Sequence, residues 1–369
     1  MNTERIPIAV LGATGSVGQR FIQLLERHPW FEVAELVASD RSTGKRYREA
    51  TEWRLDASMP ASAADLVVKD YGDELSSPIA FSALPGEVAG EIEQRLAKAG
   101  HAVLSNSSTH RMEPDVPLMI AEVNPDHVAA IERHKANRGW DGYIVTNGNC
   151  SAIHLVLTLK PLQDAFGLDA VMVTTMQAVS GAGYPGVPSL DMIDNVVPFI
   201  STEEEKMAEE ARKFLGTWGG DEFRPADFVV SASCNRVAVR EGHTEAVSVR
   251  FKSTPSVADV QAAFESFRGK PQELQLPSAP AHPIVVRAER NRPQPALDRD
   301  CEKGMASVVG RIRECPILGI KYTLLGHNTI RGAAGASILN AELLKVEGLL
   351  PAHNGLASRK QFSTTAANA

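Results

Sequence analysis

The sequence lacks any uninterrupted apolar run of the roughly 20 residues that a membrane-spanning helix needs. Its first residues, MNTERIPIAVLG, also lack the charged region and the long apolar region of a signal peptide, and they pass directly into a short β-like run. We therefore expect a cytoplasmic protein that has no membrane partner.

Positive charge is in deficit. The chain has 38 Lys and Arg residues against 45 Asp and Glu residues, which gives a formal net charge of −7. This balance argues against nucleic acid as a partner, because nucleic-acid-binding surfaces are basic. The partners we expect are small molecules. A length of 369 residues exceeds what one hydrophobic core usually organises, so we expect two domains.

Cysteine is scarce, and its spacing is uninformative for metal binding. The four cysteines are Cys150, Cys234, Cys301 and Cys315, and no two of them form a CxxC pair. This excludes zinc-ribbon and thioredoxin-like motifs, and a chain without an export signal is not expected to carry a disulfide framework. No cluster of ligand residues calls for a metal. The simplest structural interpretation of each cysteine, without any functional role, is a buried, reduced thiol.

The pattern of apolar residues predicts an α/β protein with a Rossmann-type parallel sheet and a second α+β domain with a largely antiparallel or mixed sheet. Over the first 150 residues, short apolar runs alternate with amphipathic segments, which is typical of parallel strands joined by helices. The strands predicted there are residues 6–11, 33–38, 79–83, 102–105, 118–120 and 143–146. Beyond residue 150 the predicted strands are longer, at 170–179, 228–232, 236–240, 244–252, 284–288, 307–312 and 322–325.

Two helices frame the second half of the chain. Residues 151–166 read as a helix that Pro161 is expected to kink or divide, because proline removes a backbone hydrogen bond. Residues 331–350 read as a helix that returns to the first domain. The last residues, 361–369, are small and polar and are expected to be frayed.

A glycine pattern follows the first predicted strand. In AVLGATGSVGQRF, Gly12, Gly15 and Gly18 stand between a strand and a helix, where backbone N–H groups and the helix N-terminus favour a pyrophosphate. The spacing is GxxGxxG rather than the commoner GxGxxG, so the glycines alone also fit an ordinary tight turn. The strand–turn–helix context favours a dinucleotide.

The end of the second predicted strand bears on which dinucleotide binds. Asp40 suits the ribose hydroxyl of NAD, whereas Ser39, Arg41 and Ser42 suit the 2′-phosphate of NADP, because a phosphate favours a guanidinium and hydroxyl donors. We therefore expect NADP. A solvated basic loop is the alternative.

Cys150 lies in the stretch NGNCSAIH, between a turn-forming tripeptide and the start of an apolar helical pattern. A helix N-terminus lowers the pKa of a thiol, and Asn149 or Ser151 is suited to cap this one. A thiol nucleophile needs an acid/base partner, and His243 stands between two predicted strands where a side chain is presented to a cleft.

Eight segments that span nearly the whole chain form a recognisable set: LGATGSVGQRF (11–21), SNSSTHRM (105–112), IAEVNPDH (120–127), TNGNCSAI (146–153), TMQAVSGAGYPG (175–186), STEEEKM (201–207), CNRVAVREGHTEAV (234–247) and GHNTIRGAAGASILNAE (326–342). With these motifs the chain resembles the aspartate-semialdehyde dehydrogenases, most closely the branch of archaea and fungi. Their order and spacing make the resemblance specific.

The resemblance implies a role for each matching residue. Cys150 is the nucleophile, His243 the acid/base and Gln177 the residue that orients the substrate. The substrate-binding residues are Arg236 for the α-carboxylate, Glu203 and Lys206 for the amino group and the phosphate, and Arg111 and Asn149 on the phosphate side. The cofactor-binding residues are Gly12, Thr14, Gly15, Ser16, Val17, Ser39, Arg41, Ser42 and Ser82, with Ser180, Gly181, Asn328 and Thr329 near the nicotinamide.

Some of these assignments have rivals in the sequence. Arg240 competes with Arg236, because on an alternating strand both side chains face the same way. The run EEEK leaves the register of the glutamate open, and the charged segment around Lys206 also fits a solvated helix face. Asn149 and Asn328 also fit simple capping and turn roles.

The resemblance further implies NADP-dependent reduction of L-4-aspartyl phosphate to L-aspartate 4-semialdehyde through a thioester on Cys150, in lysine, threonine and methionine biosynthesis. Residues 1–149 with 330–369 would bind NADP, and residues 150–329 would provide catalysis and dimerisation in a homodimer or homotetramer. The alternatives are a malonyl- or succinyl-CoA reductase with the same thioester chemistry and, in another class, an NADP-binding sensor without catalysis. The intact set of Cys150, His243 and Gln177 disfavours the sensor.

Overall fold

A parallel sheet forms the centre of the first half of the molecule, which is described here from a computed structural model covering residues 5–352. In that range the sheet has six strands: β1 (Ile6–Leu11), β2 (Phe31–Val37), β3 (Val68–Lys69), β4 (Ile79–Ser82), β5 (Ala102–Ser105) and β6 (Tyr143–Thr146). Their order is β3-β2-β1-β4-β5-β6, and all are parallel. The strand order reverses between β1 and β4, which is where open α/β sheets bind ligands.

Helices cover this sheet: α1 (Ser16–Leu25), α2 (Tyr47–Ala50), α3 (Ala61–Ala64), α4 (Gly86–Lys98) and α5 (Ala130–Arg138). Helix α1 packs on β1 and β2, and α4 packs on β5 and β6. Strands β4, β5 and β6 are buried along their whole length, because helices screen both faces of a parallel sheet. The apolar runs of the sequence therefore predict these strands well.

The second sheet is mixed. The strands that follow in the chain are β7 (Leu168–Gln177), β8 (Thr217–Trp218), β9 (Phe223–Arg224), β10 (Val229–Arg236), β11 (His243–Phe251), β12 (Ile284–Arg287), β13 (Ser307–Cys315) and β14 (Gly319–Gly326). Within the described residues, six of them pair in the order β10-β7-β11-β14-β13-β12, while β8 and β9 form a separate ribbon. The β10/β7 and β12/β13 pairs are parallel and the others antiparallel, which confirms the predicted mixed sheet.

The helices of this half are α6 (Cys150–Phe166), α7 (Ser189–Met192), α8 (Glu203–Phe214), α9 (Val257–Ser266), α10 (Lys270–Glu273), α11 (Pro295–Asp298) and α12 (Gly335–Val346). A π-helical segment, Ile330–Ala334, leads into α12, and short 3₁₀ segments occupy Pro125–Ala129, Val179–Ala182 and Cys301–Gly304. Helix α6 lies against β7, β11, β13 and β14. Pro161 does not divide α6; Leu159, Pro161 and Leu162 are buried, so packing outweighs the lost hydrogen bond.

Three predicted strands differ from the structure. Residues 118–120 do not form a strand, because the Asn124 side chain accepts from the Ile120 N–H and donates to the Leu118 carbonyl, each at 2.8 Å. The predicted strand 228–232 extends to Arg236 as β10, which pairs with β7 along its full length, whereas residues 237–240 of the predicted strand 236–240 lie beyond the end of β10 and are not in a strand.

The described residues fall into two units. One comprises the chain up to Pro117, Val128–Asn147 and the residues from Ala341 on, and the other comprises Leu118–His127 and Gly148–Asn340. Residues 118–127, 148–149 and 330–340 are thus grouped differently from the predicted domains, whose functional division stays a prediction. The predicted frayed segment 361–369 lies outside the described residues. Between residues 5 and 352, no helix is both long and apolar enough to cross a membrane.

Candidate active site

Cys150 is the first residue of α6, and Asn149 caps that helix. The Asn149 Oδ1 atom accepts the N–H groups of Ser151 at 2.9 Å and of Ala152 at 3.1 Å. Asparagine is among the preferred N-cap residues because its short side chain satisfies these otherwise unpaired donors. The half-buried thiol therefore stands at the positive end of a 17-residue helix, where a negative sulfur is favoured.

His243 begins β11 and faces this thiol. Its Nε2 atom lies 3.1 Å from the Cys150 Sγ, and its Nδ1 atom accepts the N–H of Ala178 at 3.0 Å. Because a backbone N–H can only donate, Nδ1 carries no proton, and the neutral ring must carry its proton on Nε2. Burial lowers the pKa of His243 well below its ordinary value, and Arg236 adds to this effect. A neutral imidazole thus directs an N–H toward the sulfur.

A glycine gives Cys150 room. A Cβ atom on Gly332, in the π-helical segment, would lie 2.9 Å from the Cβ of Cys150, a distance that real Cβ atoms essentially never show. The backbone of this segment therefore lies directly against the nucleophile. The glycine-rich sequence RGAAG allows this approach.

Glu203, Gln177 and Asn149 form one hydrogen-bonded group. Glu203 Oε1 accepts from Gln177 Nε2 at 2.9 Å and from Asn149 Nδ2 at 2.8 Å. Glu203 is buried at the start of α8, whereas Glu204 and Glu205 are exposed. The structure thereby selects, among the three glutamates of EEEK, the one that faces Gln177. Lys206 follows one turn later on α8 and is half-buried.

Arg236 ends β10 directly beside Gln177 of β7. Its Nη1 atom donates to the Ala178 carbonyl at 2.8 Å, and burial lowers the pKa of this guanidinium, whereas the nearby Cys150 and Glu203 act in the opposite direction. The rival Arg240 lies beyond the end of the strand and is exposed, so the alternation that would place both arginines on one face does not hold.

The residues predicted to lie near the nicotinamide come together around the same strands. Asn328 Nδ2 donates to Ser180 Oγ at 2.8 Å, and Asn328 Oδ1 accepts the N–H of Gly242 at 2.9 Å. A Cβ atom on Gly181 would lie 2.7 Å from Arg236 Nη1 and 3.1 Å from His243 Cε1. The hydroxyl group of Thr329 donates a hydrogen bond to Glu241 Oε1 at 3.3 Å.

The glycine loop of the first sheet has the features that a pyrophosphate requires. Gly12 has a φ of +74° and its backbone lies so close to Ala83 that an added Cβ would meet the Ala83 oxygen at 2.7 Å. A Cβ on Gly18 would lie 2.2 Å from the Gly12 oxygen. No side chain caps the N-terminus of α1, whose first residues are half-buried and follow the exposed Gly15. The residues present therefore fit a dinucleotide phosphate group.

The other predicted cofactor residues in this unit differ in accessibility. Thr14, Ser16, Val17 and Ser39 are half-buried, Arg41 is exposed and Ser42 is buried. The Asp40 carboxylate accepts the N–H of Arg41 at 2.8 Å. Ser82 ends β4 at the reversal of strand order, but its buried hydroxyl donates to Glu93 at 2.6 Å. Its position fits the prediction, while its hydroxyl is engaged within the protein.

Arg111 also belongs to the unit that contains the parallel sheet. It is buried, and its Nη2 atom donates to the Asn106 carbonyl at 2.6 Å. Its predicted contact with phosphate stays a prediction.

Two acidic residues of the site were missed by sequence reasoning. Glu210, on α8, accepts the N–H of Asn149 at 2.6 Å. Glu245, two residues after His243 on β11, is fully buried, and neither of its carboxyl oxygens has a hydrogen-bond partner among residues 5–352. Burial raises the pKa of Glu245 well above its ordinary value, and Glu203 adds to the rise. The sequence did contain a signal for each residue. Glu245 lies two positions after His243, so strand alternation places both side chains on one face, and Glu210 lies seven positions after Glu203, which is about two helical turns.

Comparisons with known proteins agree with this geometry. A family model described as "Semialdehyde dehydrogenase, NAD binding domain" matches residues 7–131, and one described as "Semialdehyde dehydrogenase, dimerisation domain" matches residues 159–331. The aspartate-semialdehyde dehydrogenase of Archaeoglobus fulgidus is 54% identical over 347 residues, covering 94% of this chain and 100% of the relative. That of Candida albicans is 46% identical over 358 residues, covering 92% and 98%.

A solved structure gives the same result. The crystal structure of aspartate semialdehyde dehydrogenase with NADP from Candida albicans superposes with a TM-score of 0.87 at 43% identity, covering 94% of this chain and 100% of that one. The predicted fold class and the predicted kind of enzyme are confirmed. The chain belongs to the aspartate-semialdehyde dehydrogenase family.

Proposed function

We propose that this chain catalyses the reductive dephosphorylation of L-4-aspartyl phosphate to L-aspartate 4-semialdehyde, with Cys150 as the nucleophile. The observation that carries the proposal is the 3.1 Å contact between Cys150 Sγ and His243 Nε2 at a capped helix N-terminus. Covalent catalysis suits this reaction, because a thioester is reducible where a carboxylate is not.

In the first step the Cys150 thiolate attacks the acyl carbon of the substrate. A carbon–sulfur bond forms, the bond from carbon to the phosphate oxygen breaks, and inorganic phosphate leaves with the electron pair. The helix N-terminus and the Nε2–H of His243 both stabilise the negative sulfur before the attack. The N–H groups of Ser151 and Ala152 already bind Asn149, so it is the positive end of the α6 dipole that is suited to stabilise the oxyanion of the tetrahedral intermediate.

In the second step the thioester is reduced and released. When bound, NADPH supplies the hydride that reduces the thioester carbon. The resulting oxyanion collapses to the aldehyde and expels the sulfur of Cys150, whose returning charge meets the N–H of His243 again. In the reverse direction the Cys150 thiolate adds to the aldehyde carbon, and the oxygen takes the electron pair of the carbonyl bond. The neutral ring of His243, whose Nδ1 already accepts the Ala178 N–H, presents the proton on Nε2 as a donor in both directions.

The remaining side chains bind and orient the substrate. Arg236, at the end of β10, would clamp the α-carboxylate, since a guanidinium binds a carboxylate through two parallel hydrogen bonds. Glu203 would accept the substrate ammonium while Gln177 orients the acyl group beside the sulfur. Lys206, Arg111 and Asn149 would contact the phosphate. For Asn149 only Nδ2 is suited to this, since its oxygen already caps α6.

NADP is the cofactor that we propose for the first sheet. The backbone around Gly12, Gly15 and Ser16 would bind the pyrophosphate, and Ser39, Arg41 and Ser42 would bind the 2′-phosphate. Support comes from the fit of the glycine loop and from the NADP present in the Candida albicans structure. Ser180, Gly181, Asn328 and Thr329 would lie near the nicotinamide.

The assembly that we propose is a homodimer or homotetramer formed by the second half of the chain, which matches the dimerisation-domain family. Residues 1–149 with 330–369 would serve NADP binding, and residues 150–329 catalysis and dimerisation. A cytoplasmic location and a place in lysine, threonine and methionine biosynthesis follow from the same assignment.

The test is an assay of the purified protein for phosphate-dependent reduction of NADP⁺ by aspartate semialdehyde, beside its Cys150→Ser variant. We expect activity that requires phosphate and falls by more than about 1,000-fold in the variant, because the hydroxyl is a far weaker nucleophile at neutral pH. Oxidation of NADPH by malonyl- or succinyl-CoA, without turnover of aspartate semialdehyde, would assign the protein to the CoA reductases. Binding of NADP without either activity would favour the sensor.

A further inference from the structure

Helix α8 carries a second buried acid on the face that bears Glu203. Glu210 follows Glu203 by seven residues, which is close to two helical turns and places both carboxyl groups on one side of α8. The side chain of Glu210 is 1% exposed, and its Oε2 atom accepts the backbone N–H of Asn149 at 2.6 Å. The residue that receives this contact directly precedes Cys150 in the chain.

Asn149 is held at three points. Glu210 binds its backbone N–H, Glu203 binds its side-chain Nδ2 atom at 2.8 Å, and its Oδ1 atom accepts the first free N–H groups of α6. The first two contacts come from α8, and the third fixes the start of α6. Together they determine where the first residue of α6, Cys150, stands relative to α8.

The turn before Cys150 packs tightly on α8. A Cβ atom on Gly148 would lie 2.5 Å from the ring of Phe214 and 3.2 Å from Glu210 Oε2. No side chain fits between the turn and the helix at this point. A charged hydrogen bond in such a buried place is strong, and leaving the Asn149 N–H without an acceptor would be costly.

We propose that Glu210 is a positioning residue for the reaction: through the backbone of Asn149, it holds the Cys150 sulfur within hydrogen-bonding distance of His243. This inference rests on the proposed role of Cys150 as the nucleophile. Without the carboxyl group the turn is released from one of its three contacts. A displacement of about 1 Å at a reacting atom lowers the rate by roughly 100-fold.

The experiment compares Glu210→Ala, Glu210→Gln and the control Glu209→Ala, whose side chain is exposed on the same helix. Both Glu210 variants remove the acidic group, but only glutamine keeps an oxygen that accepts the N–H of Asn149. A difference between them therefore isolates the hydrogen bond from the charge. The readouts are kcat and KM, the thermal unfolding temperature, and the pH dependence of Cys150 alkylation by iodoacetamide, which does not require turnover.

We expect Glu210→Ala to lower kcat by about 100-fold while KM for aspartate semialdehyde changes by less than about threefold. The pH midpoint of alkylation should lie about 0.5 pH unit higher in Glu210→Ala than in Glu210→Gln, because the thiolate loses its contact with His243. Glu210→Gln should recover at least about tenfold of the lost kcat, and Glu209→Ala should behave as the wild type.

Equal alkylation profiles and equal kcat in the alanine and glutamine variants would overturn the inference. If the alanine variant does not fold, a glutamine variant that folds but keeps less than about 1% of the wild-type kcat overturns it as well. Failure of the proposed function is distinguishable from these outcomes, because it would appear as no turnover of aspartate semialdehyde by the wild type, or as full turnover in Cys150→Ser, whatever the Glu210 variants do.

Discussion

At the scale of single residues, the protonation of His243 is set by its surroundings rather than by its residue type. The N–H of Ala178 occupies Nδ1, so the proton of the neutral ring lies on Nε2, 3.1 Å from the sulfur. The sequence resemblance predicts the pair of Cys150 and His243. It does not predict the tautomer of His243. The N–H donor belongs to Ala178, which follows a different strand, and only the pairing of the strands in the sheet brings Ala178 to His243.

A substitution at Gly181 tests how closely the site is packed. A Cβ atom there would lie 2.7 Å from Arg236 Nη1 and 3.1 Å from His243 Cε1, so Gly181→Ala must displace one of the two side chains. We expect kcat/KM for aspartate semialdehyde to fall by about 10- to 100-fold, because small displacements at reacting groups are costly. Steady-state kinetics measures the effect.

The control is Gly90→Ala on α4, where a Cβ atom would lie 3.4 Å from Thr109 Cγ2, its nearest neighbour among residues 5–352, which is an ordinary contact. That variant should retain wild-type kinetics. Wild-type kinetics in Gly181→Ala as well would show that Arg236 and His243 have more freedom than the distances indicate.

At the scale of elements, a buried ion pair connects the π-helical segment that lies against Cys150 to the loop before Pro125. Arg331 donates from Nη1 and Nη2 to the two oxygens of Glu122, at 2.8 and 2.7 Å, and both side chains are fully buried. The pair joins the loop before Pro125 to the segment that contains Gly332. Glu122 occurs in the motif IAEVNPDH and Arg331 in the motif GHNTIRGAAGASILNAE. The two residues are 209 positions apart in the chain, so their pairing is visible only in the fold.

Removal of one partner of this pair should be strongly destabilising. Glu122→Gln leaves the Arg331 charge buried without its counter-charge, and we expect the free energy of unfolding to fall by about 3–5 kcal/mol. The double variant Glu122→Gln/Arg331→Met removes both charges and should recover part of that loss. Urea unfolding followed by circular dichroism measures each value.

The matched control is the exposed pair of Lys160 and Asp164 on α6, whose charged atoms are 2.8 Å apart. Asp164→Asn should change the free energy of unfolding by less than about 1 kcal/mol, because water screens surface ion pairs. A similar small effect in Glu122→Gln would mean that the buried pair contributes little.

The apolar pattern of the sequence predicted some strands accurately and others wrongly, and each outcome has a physical reason. Strands β1, β5 and β6 were predicted to the residue, because continuous apolar runs identify strands that helices cover on both faces. Strand β10 was predicted to end at residue 232, because the residues that follow, Ser233 to Asn235, lack a continuous apolar pattern. Its pairing with β7, a contact distant in sequence, keeps it continuous.

At the scale of the whole molecule, the change in the pattern of apolar residues at Cys150 predicted the two sheets. The buried titratable groups of the folded protein make its stability depend on pH. Burial lowers the pKa of His154 to about 3 and that of His134 to about 4, and it lowers those of His127 and His243 as well. Such residues bind protons in the unfolded chain before they do so in the folded one. Their contribution to stability is therefore complete above about pH 6.5 and is lost as the pH falls.

The carboxyl groups of Glu93 and Glu245 act in the opposite direction, because their raised pKa values let the folded protein keep protons that the unfolded chain releases above about pH 4.5. Four histidines outweigh two carboxyls near pH 5.5, so we expect the free energy of unfolding to decrease from pH 6.5 toward pH 5. His154→Asn should reduce this slope by up to about 1.4 kcal/mol per pH unit.

The exposed His282, varied to Asn, is the control and should leave the slope as in the wild type. Urea unfolding at several pH values between 5 and 7 gives the three slopes. An unchanged slope in His154→Asn would mean that this histidine is protonated in the folded protein.

The most direct test of the account is to trap the acyl group on Cys150. The protein is incubated with aspartate semialdehyde and NADP⁺ in the absence of phosphate, quenched in acid, digested and analysed by mass spectrometry. The account predicts an acyl adduct on the peptide that contains Cys150, which disappears when phosphate is added before the quench and never forms in Cys150→Ser. Turnover without an adduct on Cys150, or an adduct on Cys234, Cys301 or Cys315 instead, would contradict it.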